Sequence, residues 1–164
     1  MRTFLGVKVH SNALLKIQEE LKQLDPGANH TLPGNIHLTL VFLGELSPSQ
    51  VQQVTQILKS LSFQAFEIEI NKIKKLHDMI IAEVKPKAEL MALQEQLLDS
   101  LLRLNLQLEN RRYYPHITLA RKSNLEIIKP VQIVYQAQEV TLFASERINQ
   151  VLTYTPLCIS KLKE

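Results

Sequence analysis

The chain of 164 residues has one cysteine, no tryptophan, four glycines and seven prolines. A single thiol, Cys158, cannot form an internal disulfide, so we expect a reducing compartment, the cytoplasm, and a small buried hydrophobic side chain. The low glycine and proline content, with 45% hydrophobic and 21% charged residues, excludes collagen-like and disordered chains. The longest uncharged apolar runs, such as residues 36–43, are far shorter than the roughly 20 residues that cross a bilayer. We therefore expect no membrane partner and no cleavable signal.

An excess of charge of one sign is also missing. Nineteen Lys and Arg against sixteen Asp and Glu give a net charge of +3 and an isoelectric point near 9.0. This balance suits an anionic partner but is too small to identify one. The length is typical of one domain, and no linker or low-complexity segment divides it. We predict a single domain over residues 1–164 that acts as a monomer.

Hydrophobic periodicity alternates between the strand and helix patterns along the chain. Ser11 is a candidate N-cap for a first helix that ends at residues 25–27, and Ser47, Pro48 and Gln50 form the start signal of a second helix. The remaining leucine-rich segment, residues 90–104, predicts a third helix. Strands are predicted over residues 2–9, 36–43, 63–73, 79–85, 114–120, 131–135, 140–144 and 151–159.

The chain contains an internal repeat. A strand, a helix, a polar loop and a strand run over residues 4–43 and again over residues 79–121. The helical residues 15–21 align with 91–97 at a shift of 76, and the strand residues 36–40 align with 115–119 at a shift of 79. The repeat predicts an α+β fold of two pseudo-symmetric lobes, mainly antiparallel sheets flanked by helices, with a groove between the lobes.

Each repeat carries a His-x-Thr motif in its second strand. Alternate side chains of a strand share a face, so His37 and Thr39 project together, and His116 and Thr118 repeat the arrangement. Residues Ile36, Leu38, Leu40 and Phe42 are predicted to pack on the opposite, core face. Across a pseudo-twofold axis, the two motifs would place two imidazoles and two hydroxyls around one small volume.

This set of groups is suited to acid and base catalysis at a phosphate. Imidazole can act as a base in one copy and as an acid in the other near neutral pH, and threonine hydroxyls can donate to phosphate oxygens. Two histidines without Cys, Asp or Glu at ligand spacing leave a metal shell incomplete. We therefore predict no metal and no other cofactor. His10 and His77, at strand ends or turns, are expected to be solvated.

The sequence around both histidines resembles the two-histidine phosphoesterases, and among them the bacterial and archaeal RNA 2′,3′-cyclic phosphodiesterases, also called 2′-5′ RNA ligases. Residues 36–45, IHLTLVFLGE, match an apolar residue followed by His-x-Thr-Leu-x-Phe-Leu-Gly-Glu. Residues 111–121, RRYYPHITLAR, match Arg-x-aromatic-x-Pro-His-x-Thr-Leu-x-Arg. Residues 142–145 and Tyr154 match a late Leu-aromatic-x-Ser and a tyrosine. The resemblance covers nearly the whole chain.

The resemblance implies metal-independent hydrolysis of RNA ends or nucleotides bearing a 2′,3′-cyclic phosphate, which leaves a 2′-phosphate, with reversible 2′-5′ RNA ligation as a secondary activity. We assign His116 as the base that activates water and His37 as the acid, although the pseudo-symmetry means that the sequence alone does not distinguish these roles. The predicted site residues are catalytic His37 and His116, and substrate-binding Thr39, Thr118, Arg121 and Tyr113.

The roles of two residues, Arg121 and His30, depend on where the folded chain places their side chains. Strict alternation from His116 places Arg121 on the face opposite the groove, where it would be a surface arginine paired with Glu126 or with solvent, unless the strand ends or bulges at Ala120. Similar proteins often carry Trp preceded by Arg seven residues before the first histidine, where this chain has Asn29 and His30. His30 either replaces their contact or is an ordinary loop residue.

Two alternatives remain open. One is another small cyclic phosphate as the substrate. The other is a non-catalytic RNA-binding module, in which basic side chains hold phosphates and an aromatic ring stacks on a base. The residues that would serve such a module are Arg111, Arg112, Arg121, Lys122 and either Tyr113 or Tyr114.

Overall fold

The computed structural model describes residues 1–109 and 111–164, and in this part of the chain nine strands, three α-helices and a 3-10 helix, Pro33–Asn35, are present. The helices are α1 (Asn12–Leu24), α2 (Pro48–Lys59) and α3 (Ala88–Leu102). The strands are β1 (Arg2–Lys8), β2 (Asn29–His30), β3 (His37–Glu45), β4 (Phe66–Leu76), β5 (Met79–Val84), β6 (His116–Arg121), β7 (Ile128–Ala137), β8 (Glu139–Ile148) and β9 (Val151–Lys161).

The strands form two antiparallel sheets, one in each lobe. The first sheet has the order β3-β1-β8-β9 and the second has the order β2-β6-β5-β4-β7. β1 and β3 of the first repeat therefore occupy the same places as β5 and β6 of the second, and β8 and β9 correspond to β4 and β7. The internal repeat is a structural pseudo-symmetry, which confirms the predicted α+β fold of two lobes.

The helices begin where the sequence signals them. The Ser11 hydroxyl accepts a hydrogen bond from the Leu14 amide at 3.3 Å at the start of α1. Ser47 and Gln50 form a complete capping box before α2. α3 begins at Ala88 without a side-chain cap. It carries Glu89 in its first turn, where a carboxylate interacts favourably with the helix dipole.

Most of the predicted apolar stripes are buried. The fully buried leucines of the helices are Leu14, Leu21, Leu58, Leu90, Leu93, Leu97 and Leu101. Leu24, the last residue of α1, is 63% exposed. Leu104 lies beyond the end of α3, and Cys158 is half-buried against the core. No helix in the described residues is both long and apolar enough to span a bilayer.

Candidate active site

The two motif strands lie in different sheets and contact each other between the lobes. β3 is an edge strand of the first sheet, and it approaches β6 of the second sheet. β2 extends only over Asn29–His30, so it covers little of the outer edge of β6. The contact between β3 and β6 brings the faces with His37 and His116 to one groove, as the pseudo-symmetry predicts.

β3 carries a β-bulge directly after its motif threonine. It pairs with β1 up to Thr39 and resumes two residues later, so Leu40 has no partner on β1. An extra residue in one strand reverses the alternation of faces. Phe42, predicted to pack in the core, is therefore 53% exposed, and it lies opposite Phe4, whose ring contacts that of His37. The prediction for Phe42 is wrong because the bulge moves it to the groove face.

β6 carries the same bulge at the equivalent place. It pairs with β5 at Thr118 and again at Ala120, so Leu119 has no partner on β5. The side chains of Leu119 and Ala120 are both buried, and Arg121 returns to the face of Thr118. The bulge near Ala120 that a groove-facing arginine requires is present.

The two bulges give the groove unlike side chains at equivalent positions. Phe42 and Arg121 are 79 residues apart, the same shift that relates the two motif histidines. One lobe presents an exposed aromatic ring, the kind of surface that stacks on nucleobases, and the other presents a guanidinium, which matches phosphate oxygens.

His37 is held at both ring nitrogens. Its Nδ1–H donates to the Asn35 carbonyl oxygen at 2.7 Å, and its Nε2 lies 2.9 Å from Thr39 Oγ1. A carbonyl can only accept, so the proton is fixed on Nδ1 and the neutral ring accepts the threonine hydroxyl at Nε2. Nε2 is therefore the atom available for proton transfer.

Aromatic rings of the first sheet surround His37. The ring centroids of Phe4 and Tyr154 are 4.7 and 5.0 Å from that of the imidazole, and the Phe143 ring is 6.4 Å away. Phe143 and Tyr154 belong to the late motif found in the sequence. In the fold, they supply part of the apolar surroundings of the His37 ring.

The pKa of His37 is lowered to about 4. Burial among the rings is the main cause, because it disfavours the charged imidazolium. The hydrogen bond to Asn35 opposes this shift, whereas the charges of Arg121 and His116 add to it. Arg121 and His116 belong to β6, and because their charges act on His37, the three side chains share one site. With this lowered pKa, His37 is neutral at pH 7 in the free chain.

His116 is held by the equivalent contact. Its Nδ1–H donates to the Tyr114 carbonyl oxygen at 2.7 Å, and the two rings lie 5.2 Å apart. The Tyr114 hydroxyl donates to Glu83 Oε2 at 2.6 Å, and Lys74 lies 3.4 Å from the same oxygen. The hydrogen bond from Tyr114 is the main cause of a lowered pKa of Glu83, which stays ionised.

Asn35 is a site residue that the sequence analysis missed. Its amide nitrogen donates to the Leu152 carbonyl at 2.8 Å, and its Oδ1 accepts from the Tyr154 amide at 3.4 Å. Asn35 thus links the support of His37 to β9, in the way that Tyr114 links the support of His116 to β5. The position two residues before each histidine is the only sequence signal for this role.

Tyr113 connects the two lobes beside the site. Its hydroxyl donates to the Thr39 carbonyl oxygen at 2.8 Å, and burial raises its pKa above the ordinary value. This hydrogen bond holds Tyr113 against β3, whereas Tyr114 is the more exposed of the two rings, at 38%. The contact of Tyr113 with a substrate remains a prediction. Thr118 is half-buried on the face of His116.

Arg121 lies at the exposed rim of the groove. Its Nη1 is 3.1 Å from Met79 Sδ. Glu126, the partner expected for a surface arginine, instead forms a salt bridge of 2.9 Å with Lys75. Within residues 1–109 and 111–164, no salt bridge involves Arg121, which leaves its charge available to an anion.

His30 has a structural position. Its Nε2–H donates to the Asp25 carbonyl oxygen at 2.8 Å, at the C-terminus of α1. His30 lies opposite the buried Ala120, whereas Asn29 lies opposite Arg121. Cross-strand pairs share a face, so His30 points away from the groove and Asn29 is the neighbour of the arginine.

Three of the basic residues of the alternative RNA-binding interpretation, Arg111, Arg112 and Lys122, are exposed. Arg111 forms a salt bridge of 2.6 Å with Glu109. In the described part of the chain, no group of three His, Cys, Asp or Glu side chains is arranged to hold a metal.

Comparison with known proteins connects this geometry to a family. The family model described as the 2′-5′ RNA ligase superfamily matches residues 7–150. The chain belongs to the 2′-5′ RNA ligase superfamily. Both His-x-Thr motifs lie inside the matched region, and the resemblance found in the sequence is confirmed.

Two curated relatives of this chain carry the same name. The RNA 2′,3′-cyclic phosphodiesterase of Bacillus subtilis is 30% identical over 119 residues, which cover 68% of this chain and 65% of that protein. The RNA 2′,3′-cyclic phosphodiesterase of Archaeoglobus fulgidus is 27% identical over 128 residues, which cover 74% and 72%. The match thus spans just under two thirds of the Bacillus protein, and the predicted hydrolase activity agrees with both names.

A solved structure shares the whole fold of this superfamily member. The crystal structure of a phosphoesterase is 25% identical, covers 99% of this chain and 98% of its own, and superimposes with a TM-score of 0.86. The agreement over both lobes confirms the two-sheet architecture.

Proposed function

We propose that this chain hydrolyses 2′,3′-cyclic phosphates at RNA ends or on nucleotides and releases 2′-phosphomonoesters, without a metal or other cofactor. The observation that carries the proposal is the meeting of β3 and β6, where the charges of His116 and Arg121 act on His37. Family membership and the names of the relatives support the same reaction.

The reaction needs one proton acceptor and one proton donor. His116 Nε2 accepts a proton from water as the water oxygen forms a bond to phosphorus. The bond between phosphorus and O3′ breaks, and His37 donates a proton from Nε2 to the departing O3′. Thr39, Thr118 and Arg121 hold the non-bridging oxygens and stabilise the charge that develops on them.

His37 becomes protonated when the substrate binds. In the free chain, the imidazole is neutral at pH 7 because its pKa is lowered to about 4. A phosphate anion in the groove places a negative charge beside the ring, and an opposite charge favours the protonated form. Substrate binding therefore prepares His37 as the acid.

Formation of a 2′-5′ bond uses the same groups in the same roles. A 5′-hydroxyl takes the place of water: His116 Nε2 accepts its proton as O5′ forms a bond to phosphorus, the bond between phosphorus and O3′ breaks, and His37 donates a proton to O3′. Relief of the strain in the cyclic phosphate drives this joining, so neither ATP nor an adenylylated lysine takes part.

The test of the proposed function is hydrolysis of 2′,3′-cyclic AMP and of an RNA with a 2′,3′-cyclic phosphate end, in buffer containing EDTA. We expect turnover, a 2′-phosphate product and a bell-shaped dependence of kcat/KM on pH. A non-catalytic RNA-binding module would bind the RNA without turnover. Activity on a different small cyclic phosphate, with these two substrates untouched, would replace the proposed substrate.

Replacing Arg121 with alanine should lower kcat/KM by about 10²-fold, the effect of removing one donor to a developing oxyanion. The dependence of KM on salt should weaken in the same variant, since one charge contact to phosphate is lost. Steady-state kinetics of Arg121→Ala measure both effects. Arg103→Ala, at an exposed position after α3, is the matched control. Unchanged kinetics of Arg121→Ala would return Arg121 to the status of a surface residue.

The cytoplasmic location and the monomeric state remain predictions. The single cysteine supports the first, because proteins of reducing compartments do not depend on disulfides. Cell fractionation and sedimentation equilibrium would test the two statements, and a membrane-associated or dimeric protein would contradict them.

A further inference from the structure

The bulge in β6 decides where the side chain of Arg121 points. Because Leu119 has no partner on β5, the residues after it change face, and Arg121 joins the face of Thr118. Without the extra residue, strict alternation would turn the guanidinium away from the groove. Whatever holds the backbone at Leu119 therefore also sets the position of Arg121.

A buried glutamine of α1 binds this backbone. Gln18 is 1% exposed, and its Nε2 donates to the Leu119 carbonyl at 3.2 Å and to the Thr31 carbonyl at 2.5 Å. Its neighbours on the same helix face are the buried Leu14 and Leu21. A primary amide in such surroundings is costly without hydrogen bonds, so its place on this face is explained by the carbonyls that it binds.

The second repeat contains the same device. Gln94, at the shift of 76 that aligns the helices, belongs to α3, and its Nε2 donates to the Leu40 carbonyl at 3.4 Å. Leu40 is the unpaired residue of the bulge in β3. Each helix thus binds the bulge of the other repeat, Gln18 at the bulge that precedes Arg121 and Gln94 at the bulge that precedes Phe42.

We propose that Gln18 is a positioning residue for Arg121, because its hydrogen bond to the Leu119 carbonyl holds the bulge that turns the guanidinium into the groove. The kinetic part of this proposal rests on the proposed function. The electrostatic part does not, because the charge of Arg121 acts on His37 in the free chain.

Gln18→Met keeps the length of the side chain and removes the donor. The Leu119 carbonyl still accepts from the Thr31 amide at 2.9 Å, so it is not left without a partner in the variant. We expect kcat/KM to fall by up to about tenfold, the scale of one lost hydrogen bond. Adding Arg121→Ala to Gln18→Met should then cost much less than Arg121→Ala costs alone, because coupled residues are not additive.

The readout that needs no activity is the NMR titration of the His37 ring in the free chain. Of the groups that act on this ring, Asn35 favours its protonation, and Arg121 and His116 oppose it. If the guanidinium of Arg121 lies farther from His37 in Gln18→Met, the titration midpoint of His37 should rise, as it should in Arg121→Ala. The two variants combined should give no larger rise than Arg121→Ala alone.

Gln23→Met is the matched control, because it makes the same replacement at an exposed position of α1. It should leave the titration of His37 and the effect of Arg121→Ala unchanged. If Gln18→Met does not fold, Gln18→Leu, which suits the apolar helix face, replaces it. An unchanged His37 midpoint in the Gln18 variant, or full additivity with Arg121→Ala, would overturn the proposal even if the chain proved inactive on every cyclic phosphate.

Discussion

Replacing His37 or His116 with alanine should lower kcat for 2′,3′-cyclic phosphate hydrolysis by about 10²–10⁴-fold, the contribution of a positioned acid or base. KM should change little, because Thr39, Thr118 and Arg121 remain to hold the phosphate. The variant that lacks both histidines should be scarcely slower than either single variant, since two groups that act in one proton-transfer step are not additive. Steady-state kinetics of the three variants with 2′,3′-cyclic AMP provide the measurement.

Two controls separate chemistry from folding. His77→Asn changes an exposed histidine of the β4–β5 turn, where the backbone is left-handed at φ 56° and asparagine is tolerated, so its activity should equal that of the wild type. His37→Phe fills the space among Phe4, Phe143 and Tyr154 with an apolar ring and should be folded and inactive. Full activity in His37→Phe would refute the assigned role.

The part of the site that depends on local pattern and on the repeat could be predicted from the sequence. His37 and Thr39 share a face because β-strands alternate, and the duplication places His116 and Thr118 in the equivalent strand. The sheet orders confirm this equivalence. Short-range rules were sufficient for these four residues.

The bulges were harder to predict, because they are defined by pairing with another strand. Phe42 was assigned to the core on strict alternation, whereas its exposure follows from the loss of register at Leu40. A signal was present: Leu40 begins a run of four apolar residues, 40–43, and Leu119 is followed by Ala120, so in each strand apolar residues are adjacent where alternation requires a polar one. A bulge was considered only near Ala120, because the resemblance to known motifs favours a groove-facing Arg121. No resemblance favoured an exposed Phe42.

The electrostatics of His37 depend on contacts between distant parts of the chain. Phe4, Phe143 and Tyr154 come from β1, β8 and β9, and Asn35 contacts Leu152 across 117 positions of sequence. No local pattern reports which strand covers an imidazole. The state of ionisation of His37 therefore requires the structure.

The lowered pKa of His37 should make the stability of the chain depend on pH. Below about 6.5 the imidazole of the unfolded chain binds a proton, whereas the folded chain resists protonation until the pH approaches about 4. The unfolded state then binds more protons, so the free energy of unfolding falls as the pH is lowered through this window, by about 3 kcal/mol in all. Denaturant unfolding at pH 7 and pH 4 should show a larger loss in the wild type than in His37→Phe, and equal losses would contradict a buried neutral histidine.

Binding of phosphate should reverse this preference. In an NMR titration, we expect the His37 ring of the free chain to have a midpoint near 4, consistent with its lowered pKa of about 4. An anion within hydrogen-bonding distance shifts such a group by about 1–3 pH units, so a bound nucleoside 2′-phosphate should move the midpoint towards neutrality. The pH dependence of kcat reports ionisations of the substrate complex. It should therefore show a fall in rate as His37 loses its proton, at a pH above the value of about 4 that applies to the free chain. If the midpoint stays near 4 with the nucleotide bound, His37 is neutral throughout the reaction and cannot be the acid, and the roles of the two histidines are exchanged.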